Sequence, residues 1–306
     1  MVSVRILVTG ASGILGTRVC RLASGRHDVC AAYSRNLPDA KGVDARQLDI
    51  TDREAVFLLS REFRPDAVIH CAAMTNVDEC ERFPEKAAAV NGGGTENVAM
   101  AARELDAKMV YASTEYVFDG ENPQPYTERD AVNPVSAYGK SKLRGEVGAR
   151  IAKKCAICRI STLYGWNSPW QHATFVTWLI GRLKAKERVT VVTDQVTSPT
   201  LADDAAQVLL RIAERGLSGT YNTAGGSCVS RFEFSLKVAL AFGLNASLIS
   251  PGLSKDIKWL AKRPANSCLD VKKTEEALGV KMMTADGGLE FMREQLGRGD
   301  AEGWKL

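Results

Sequence analysis

Histidine is scarce in this chain, three residues in 306, and so is net charge, at +4. That small positive excess is spread along the sequence, which argues against a nucleic-acid partner. Long apolar runs are missing too, so no segment is expected to span a membrane. The chain enters a strand-like R-I-L-V-T (5–9) almost at once, and a cytoplasmic location is expected. Aromatic residues are only 7%, but hydrophobic content of 45% and charged content of 25% are ordinary for a globular protein. Eight cysteines are scattered rather than clustered (Cys20, Cys30, Cys71, Cys80, Cys155, Cys158, Cys228, Cys268). Cys155 and Cys158 have C-x-x-C spacing, yet no second pair follows, and structural zinc needs four convergent ligands. C-A-I-C-R-I reads as a buried strand, which sends the two thiols to opposite faces. No metal site is expected, and the thiols are expected to be reduced and buried.

What the chain does have is a glycine-rich turn in an informative place. After the first strand comes T-G-A-S-G-I-L-G, with Gly10, Gly13 and Gly16 before an amphipathic segment from Ile14 to Leu22. Set between a first strand and a first helix, that spacing points to a dinucleotide pyrophosphate. Glycines let the backbone approach the ligand, and the helix start offers free N–H groups to the anion.

Alternation of strand and helix continues. Strands are expected at 29–33, 46–50, 66–73, 108–114 and 156–160. Thr51-Asp52-Arg53-Glu54 reads as a capping box opening a helix to about Phe63. Pro84 suits the first turn of a long helix that Gly92-Gly93-Gly94 interrupts, calling for close packing or a kink. Such βαβ order predicts a doubly wound parallel sheet with ligands beyond the carboxyl ends of its strands. The second strand ends Tyr33-Ser34-Arg35, without the acid that usually holds the ribose hydroxyls of NAD. A guanidinium and a hydroxyl suit a 2′-phosphate, so NADPH is the expected cofactor.

The fifth strand closes with S-T-E-Y-V-F-D-G (113–120), where such a sheet places its chemistry. S-A-Y-G-K-S-K (136–142) follows, putting Tyr138 and Lys142 one helical turn apart on one face. An ammonium beside the phenol favours phenolate and is expected to draw the tyrosine pKa down. Tyr138 could then protonate a carbonyl oxygen as hydride reaches its carbon, with Thr114 donating a hydrogen bond to that oxygen.

These segments, with C-A-A (71–73) and Y-G-K-S-K-x-x-G-E, resemble the extended short-chain dehydrogenase/reductase superfamily. More narrowly they are similar to the dTDP-4-dehydrorhamnose reductases, nearly end to end. V-D-E-C-E (77–81), V-V-T-D-Q-V-T-S-P-T (191–200) and K-R-P-A-N-S-C-L (262–269) share in the likeness. The resemblance implies a catalytic triad of Thr114, Tyr138 and Lys142. It implies NADP contacts from Gly10, Ser12, Gly13, Ile14, Leu15 and Gly16, from Asp49 and Ile50 beside the adenine, and from Cys71, Ala72 and Ala73. On the sugar-nucleotide side it implies Thr75, Val77, Glu115, Tyr116, Phe118, Arg263 and Asn266. A stacking tryptophan common in the reductases is replaced by Thr162, with Trp166 and Trp170 near enough in sequence to substitute. Glu115 stands where the family usually has Asp. The implied activity is NADPH-dependent reduction of the C4 keto group of a nucleotide-diphospho-6-deoxy-4-keto sugar, in dTDP-L-rhamnose synthesis.

Three rivals share the scaffold. A 4,6-dehydratase would follow its threonine with two acids, and Thr114-Glu115-Tyr116 has one; an epimerase would use Tyr and Lys alike. The regulatory β subunit of methionine adenosyltransferase has much the same motifs, and R-I-S-T-L-Y-G (159–165) is nearer to it. The expected organisation is a NADP-binding Rossmann domain over 1–160 and a smaller mixed α/β substrate-binding lobe over 161–306. Some elements of that lobe return to the main sheet. Helices are expected along the Phe175–Leu183 stripe, over 202–214 and after a Ser230–Glu233 capping box, and Asp203-Asp204 as partners of a helix dipole. The small-molecule chemistry leaves room for a homodimer.

Overall fold

The computed structural model describes residues 3–298; residues 1–2 and 299–306, the outer ends of the two expected domains, lie outside them. β1 (Arg5–Thr9) leads through the glycine turn into α1 (Ile14–Ala23), then β2 (Asp28–Tyr33), β3 (Asp44–Gln47) and α2 (Arg53–Phe63). β4 (Ala67–His70) is followed by α3 (Val77–Arg82), α4 (Pro84–Ala87) and α5 (Thr95–Glu104). β5 (Lys108–Thr114), α6 (Ala137–Ala149) and β6 (Cys155–Ile160) complete this half. The second half adds β7 (Leu163–Tyr164), α7 (Phe175–Lys184), β8 (Val189–Val192), β9 (Val196–Thr197), β10 (Thr200–Leu201) and α8 (Ala202–Glu214). It ends with β11 (Gly219–Asn222), β12 (Val229–Ser230), α9 (Arg231–Ala241), β13 (Ile249–Gly252), β14 (Asn266–Ser267), α10 (Lys272–Leu278) and α11 (Ala285–Arg298).

The main sheet has seven strands in the order β11-β6-β5-β4-β1-β2-β3, every neighbouring pair parallel. Helices cover both faces, because successive crossovers of one hand place α1 and α8 on one side and α2, α5 and α6 on the other. The strand reversal between β1 and β4 opens a crevice at their carboxyl ends. Five of the six expected strands overlap their predicted ranges closely. β3 instead lies at 44–47 rather than 46–50, because the Asp49 carboxylate accepts from the Thr51 N–H (2.9 Å) and hydroxyl (2.8 Å) and turns the chain. The same bond leaves Asp52, not Thr51, as the cap of α2, accepting from the Ala55 N–H at 3.0 Å. The seventh strand, G-T-Y-N, has no run of apolar residues to announce it, and it is ordered by pairing with β6.

At the three glycines the helix neither kinks nor runs on evenly. It widens into a π-type stretch over Ala88–Gly94, between α4 and α5. Close packing explains two of the glycines: a Cβ on Gly92 would lie 2.6 Å from the Arg144 side chain, and one on Gly94 2.6 Å from Ile50, whereas Gly93 faces open space. Cys155 and Cys158 do lie against opposite layers of the sheet. Two thiols depart from expectation, since Cys228 and Cys268 are joined as a disulfide with Cα atoms 5.5 Å apart. The chain between them folds back beside β9, bringing residues 40 apart into range, which spacing alone does not reveal. Asp203 and Asp204 are not merely dipole partners. Asp203 pairs with Arg18 of α1 at 3.3 Å, and Asp204 accepts from the Met283 N–H. The second lobe has its own core around Trp166, Leu179, Val191 and Phe234. No helix among the described residues is long and apolar enough to cross a membrane.

Candidate active site

Gly10 adopts φ +70, and a Cβ there would stand 2.5 Å from the Ala72 backbone nitrogen. The turn and the end of β4 are therefore in backbone contact, fixed further by the Cys71 N–H donating to Thr9 at 3.0 Å. Gly16 is as tightly placed, with a Cβ position 2.3 Å from the Gly10 carbonyl. Gly13 opens α1, is exposed, and contributes no side chain to cap it. Ser12, Gly13 and Ile14 thus line an open helix start, with Leu15 buried beneath. Ser34 and Arg35 are exposed just past β2, and Asp49 and Ile50 follow β3 on the same edge. Cys71, Ala72 and Ala73 form the half-buried strip beside the turn, with Gly10 packed against Ala72.

A side chain not anticipated from the sequence crosses this turn. The Gln171 amide donates to the Ser12 carbonyl at 2.8 Å, from a loop 159 residues away. The glutamine sits in an irregular segment with no periodicity to mark it.

At the far end of β5 the catalytic candidates converge. α6 begins at Ala137, capped by the Ser136 hydroxyl on the Gly139 N–H, which places Tyr138 and Lys142 on one face. Gly139 is required here, since its Cβ would lie 2.2 Å from the Tyr116 carbonyl. The Lys142 Nζ donates to the Ala112 carbonyl at 2.7 Å and lies 4.2 Å from the Tyr111 ring centre. Burial pushes this lysine down to about 7. Neighbouring His70 is held neutral, pushed down to about 3 by burial and by Lys142, and bonds Thr9 and Thr95 on its two sides.

Three local expectations change. Tyr138 is not drawn down toward neutrality: burial first, then the Glu115 carboxylate, raises its pKa, and only the Thr114 hydroxyl works against them. A lysine as desolvated as Lys142 cannot by itself offset those two effects. Thr114 does not point its proton outward; it donates to Glu115 at 2.7 Å and accepts from the Tyr116 N–H at 3.2 Å. Glu115 is buried, raised by desolvation, and its other oxygen accepts from the Thr162 N–H at 3.2 Å. The third change is Trp166, which packs on Phe242 in the second core and donates to the Met292 carbonyl, so it cannot replace a stacking ring in the cleft. Trp170 is exposed.

A buried ion pair braces this corner. Glu146 of α6 meets the Arg159 guanidinium of β6 with both oxygens at 2.9 Å and accepts from Ser113 of β5 at 2.7 Å. Glu146 was visible in the sequence only as the end of a motif, with no role attached.

On the opposite wall, Thr75 is exposed, and Val77, Tyr116 and Thr162 are half-buried. Tyr116 meets Tyr138 edge-on, ring centres 5.6 Å apart. Thr162 holds φ +35, a strained conformation for a β-branched residue, fixed by the Glu115 bond and by a short hydroxyl contact with Thr197. Phe118 is fully buried, stacked on Tyr126 and under Arg159, and has no surface to offer a ligand. Asn266 is likewise committed, donating to Asn122 and Gln124 carbonyls and accepting from the Cys268 N–H. Arg263 spends its guanidinium on Asp78, at 3.0 and 2.9 Å, while lying 4.5 Å from the Trp259 ring centre. Among the described residues, no three of His, Cys, Asp and Glu gather as a metal site.

The sequence profile of the RmlD substrate binding domain matches residues 4–296. A probable low-salt glycan biosynthesis reductase, Agl14, from Haloferax volcanii is 37% identical over 92% of this chain and 95% of its own. A dTDP-4-dehydrorhamnose reductase from Aggregatibacter actinomycetemcomitans is 35% identical over 90% and 94%. Methionine adenosyltransferase 2 subunit beta from Mus musculus is 33% identical over 92% and 84%. Among solved structures, the dTDP-4-dehydrorhamnose reductase of Bacillus anthracis, in complex with NADP, superposes with a TM-score of 0.85. It is 30% identical, covering 96% of this chain and 100% of that one.

Proposed function

Because this chain belongs to the RmlD substrate binding domain family, we propose that it is an NADPH-dependent reductase of a nucleotide-diphospho-6-deoxy-4-keto sugar, with dTDP-4-dehydrorhamnose the leading candidate. The observation that carries this reading is the Tyr138–Lys142 face of α6, with Lys142 anchored on the Ala112 carbonyl beside Thr114. That face looks across to the glycine turn.

The residues of the crevice fit NADPH. The side-chain-free turn at Gly10 and Gly13 and the open start of α1 suit a pyrophosphate. Arg35 and Ser34 suit a 2′-phosphate. When bound, the cofactor supplies the hydride. Tyr138 would deliver the proton to the carbonyl oxygen. Its raised pKa keeps that proton in place at neutral pH, as an acid requires. Lys142 would hold the ribose and the phenol in register, and its charge would limit phenolate cost once the proton leaves. Thr114, held by Glu115, would hydrogen-bond the same oxygen after turning its hydroxyl.

The test is a panel of keto-sugar nucleotides followed by NADPH absorbance. Oxidation with dTDP-4-dehydrorhamnose is the expected result. NADPH binding without oxidation by any member of the panel would overturn the reductase reading. The relationship to methionine adenosyltransferase 2 subunit beta makes a non-catalytic regulatory subunit the second reading, which co-purification with a synthetase would then support.

A further inference from the structure

Arg231 entered the sequence reading only as part of a helix cap, and its surroundings are unusual for a cap residue. β12 pairs antiparallel with β9, and β9 pairs with β14, so α9 starts at the edge of a small sheet. Ser230 and Glu233 close a reciprocal capping box, and the Arg231 N–H donates to the Gln195 carbonyl at 3.0 Å. The first residue of α9 is therefore rigidly presented.

Its half-buried guanidinium lies 5.7 Å from the Phe175 ring centre and beside the Tyr116 hydroxyl. Tyr116 in turn touches Tyr138 edge-on. Two other arginines at the site are already neutralised, Arg159 by Glu146 and Arg263 by Asp78. Arg231 makes no ion pair with any carboxylate among the described residues. A half-buried guanidinium near the Glu115 carboxylate but in no direct ion pair, and backed by an aromatic face, is suited to an oxyanion of a ligand.

The spacing suggests which oxyanion. In a pyranose, C4 and C1 lie across the ring from one another. The Tyr116 ring, of similar size, has Tyr138 against it and its own hydroxyl beside Arg231. A C4 carbonyl placed at the Tyr138 hydroxyl would put the C1 phosphate beside Arg231. Resting on the nucleotide-sugar reading above, we propose that Arg231 binds the sugar-proximal phosphate of a nucleoside diphosphate sugar. Arg263 acts instead as a clasp between the lobes.

Calorimetry on the NADPH-saturated protein tests this with dTDP and thymidine as probes. Arg231→Gln should weaken dTDP roughly 10- to 100-fold, the usual worth of a charge-assisted hydrogen bond. Thymidine and NADPH affinities should stay as in the wild type, and Arg231→Lys should fall between. dTDP binding to Arg231→Gln within twofold of wild type overturns the assignment, and so does an equal loss of dTDP and thymidine. A wild type that binds none of dTDP, UDP, GDP and ADP overturns both this assignment and the nucleotide-sugar reading. Retained dTDP binding with an indifferent Arg231 overturns the assignment alone.

Discussion

The two walls of the cleft are built differently. The proposed cofactor wall is mostly backbone: a glycine turn against Ala72, an open helix start, and short segments close in sequence. The proposed catalytic and substrate wall is mostly side chains that reach across the chain, such as Asp78 to Arg263, 185 residues apart, and Thr162 to Thr197. Backbone walls tolerate little change in shape but much in side-chain identity. Side-chain walls can be retuned one residue at a time, which suits a lobe that selects a substrate.

The sharpest way to separate the walls is to remove one atom from the chemistry. Tyr138→Phe should leave NADPH affinity unchanged and reduce turnover by roughly two to four orders of magnitude, the range of a positioned acid. Single-turnover NADPH oxidation would measure it. An unchanged rate with an authentic substrate would falsify the proton-donor role.

Next comes the brace of the catalytic corner. Glu146→Ala leaves the Arg159 charge buried without its carboxylate and should destabilise the protein by about 3–5 kcal/mol. Urea unfolding gives the value. A loss below about 1 kcal/mol would mean that water enters and replaces the carboxylate.

The cofactor wall was the legible one. Glycine spacing and alternating strands are local patterns, as is the Tyr138–Lys142 helix turn of the other wall, and local patterns survive in sequence. The substrate wall was legible only in outline. Phe118 and Asn266 stand in motifs at the cleft, yet their side chains turn into the protein, where they stack on Tyr126 or tie down the 122–124 loop. Arg263 and Arg231 look equivalent in sequence as exposed-type cations. Only the fold shows that Asp78 takes one and leaves the other. Tertiary pairing of this kind carries no periodicity. The disulfide belongs to the same class, since its cysteines meet only because β9 gathers two distant strands. Tyr138 teaches a related lesson: its neighbours were readable from the sequence, but the depth of burial that raises its pKa was not.

Lys142 sharpens the comparison through pH. Its folded pKa, pushed down to about 7, lies below the usual lysine value near 10.5. Between those values the unfolded chain holds a proton that the folded one has released, so stability from this site rises with pH across that window. At about 1.4 kcal/mol per unit the full effect is at most a few kcal/mol. In cofactor-free protein, Lys142→Met should remove that rise from thermal melts between pH 7 and 10. A parallel slope in the variant would place the titration elsewhere.

Arg35→Ala probes the rim of the cofactor wall. Losing one exposed guanidinium should reduce the preference for NADPH over NADH about tenfold, near the worth of one exposed charge-assisted contact. Fluorescence titration with both cofactors reads it, and a wild type with equal affinities would remove Arg35 from the 2′-phosphate role.

The smallest effect is expected at the clasp between the walls. Asp78 accepts from the Leu260 and Ala261 N–H groups as well as from both Arg263 nitrogens. Arg263, by hydrogen bonding, holds the Asp78 carboxyl below its usual value. A depressed carboxylate contributes stability above its unfolded pKa near 3.8, and that contribution is lost as pH falls through the folded value. The pair is partly open to solvent, which screens it, so Asp78→Asn should cost only about 1 kcal/mol. Its larger signature should be kinetic. Freeing the 260–263 segment loosens the substrate wall without touching Tyr138 or the glycine turn, so KM for the sugar nucleotide should rise severalfold while kcat and NADPH affinity hold. A fall in kcat with KM unchanged would show that the two walls are coupled through this clasp rather than independent of it.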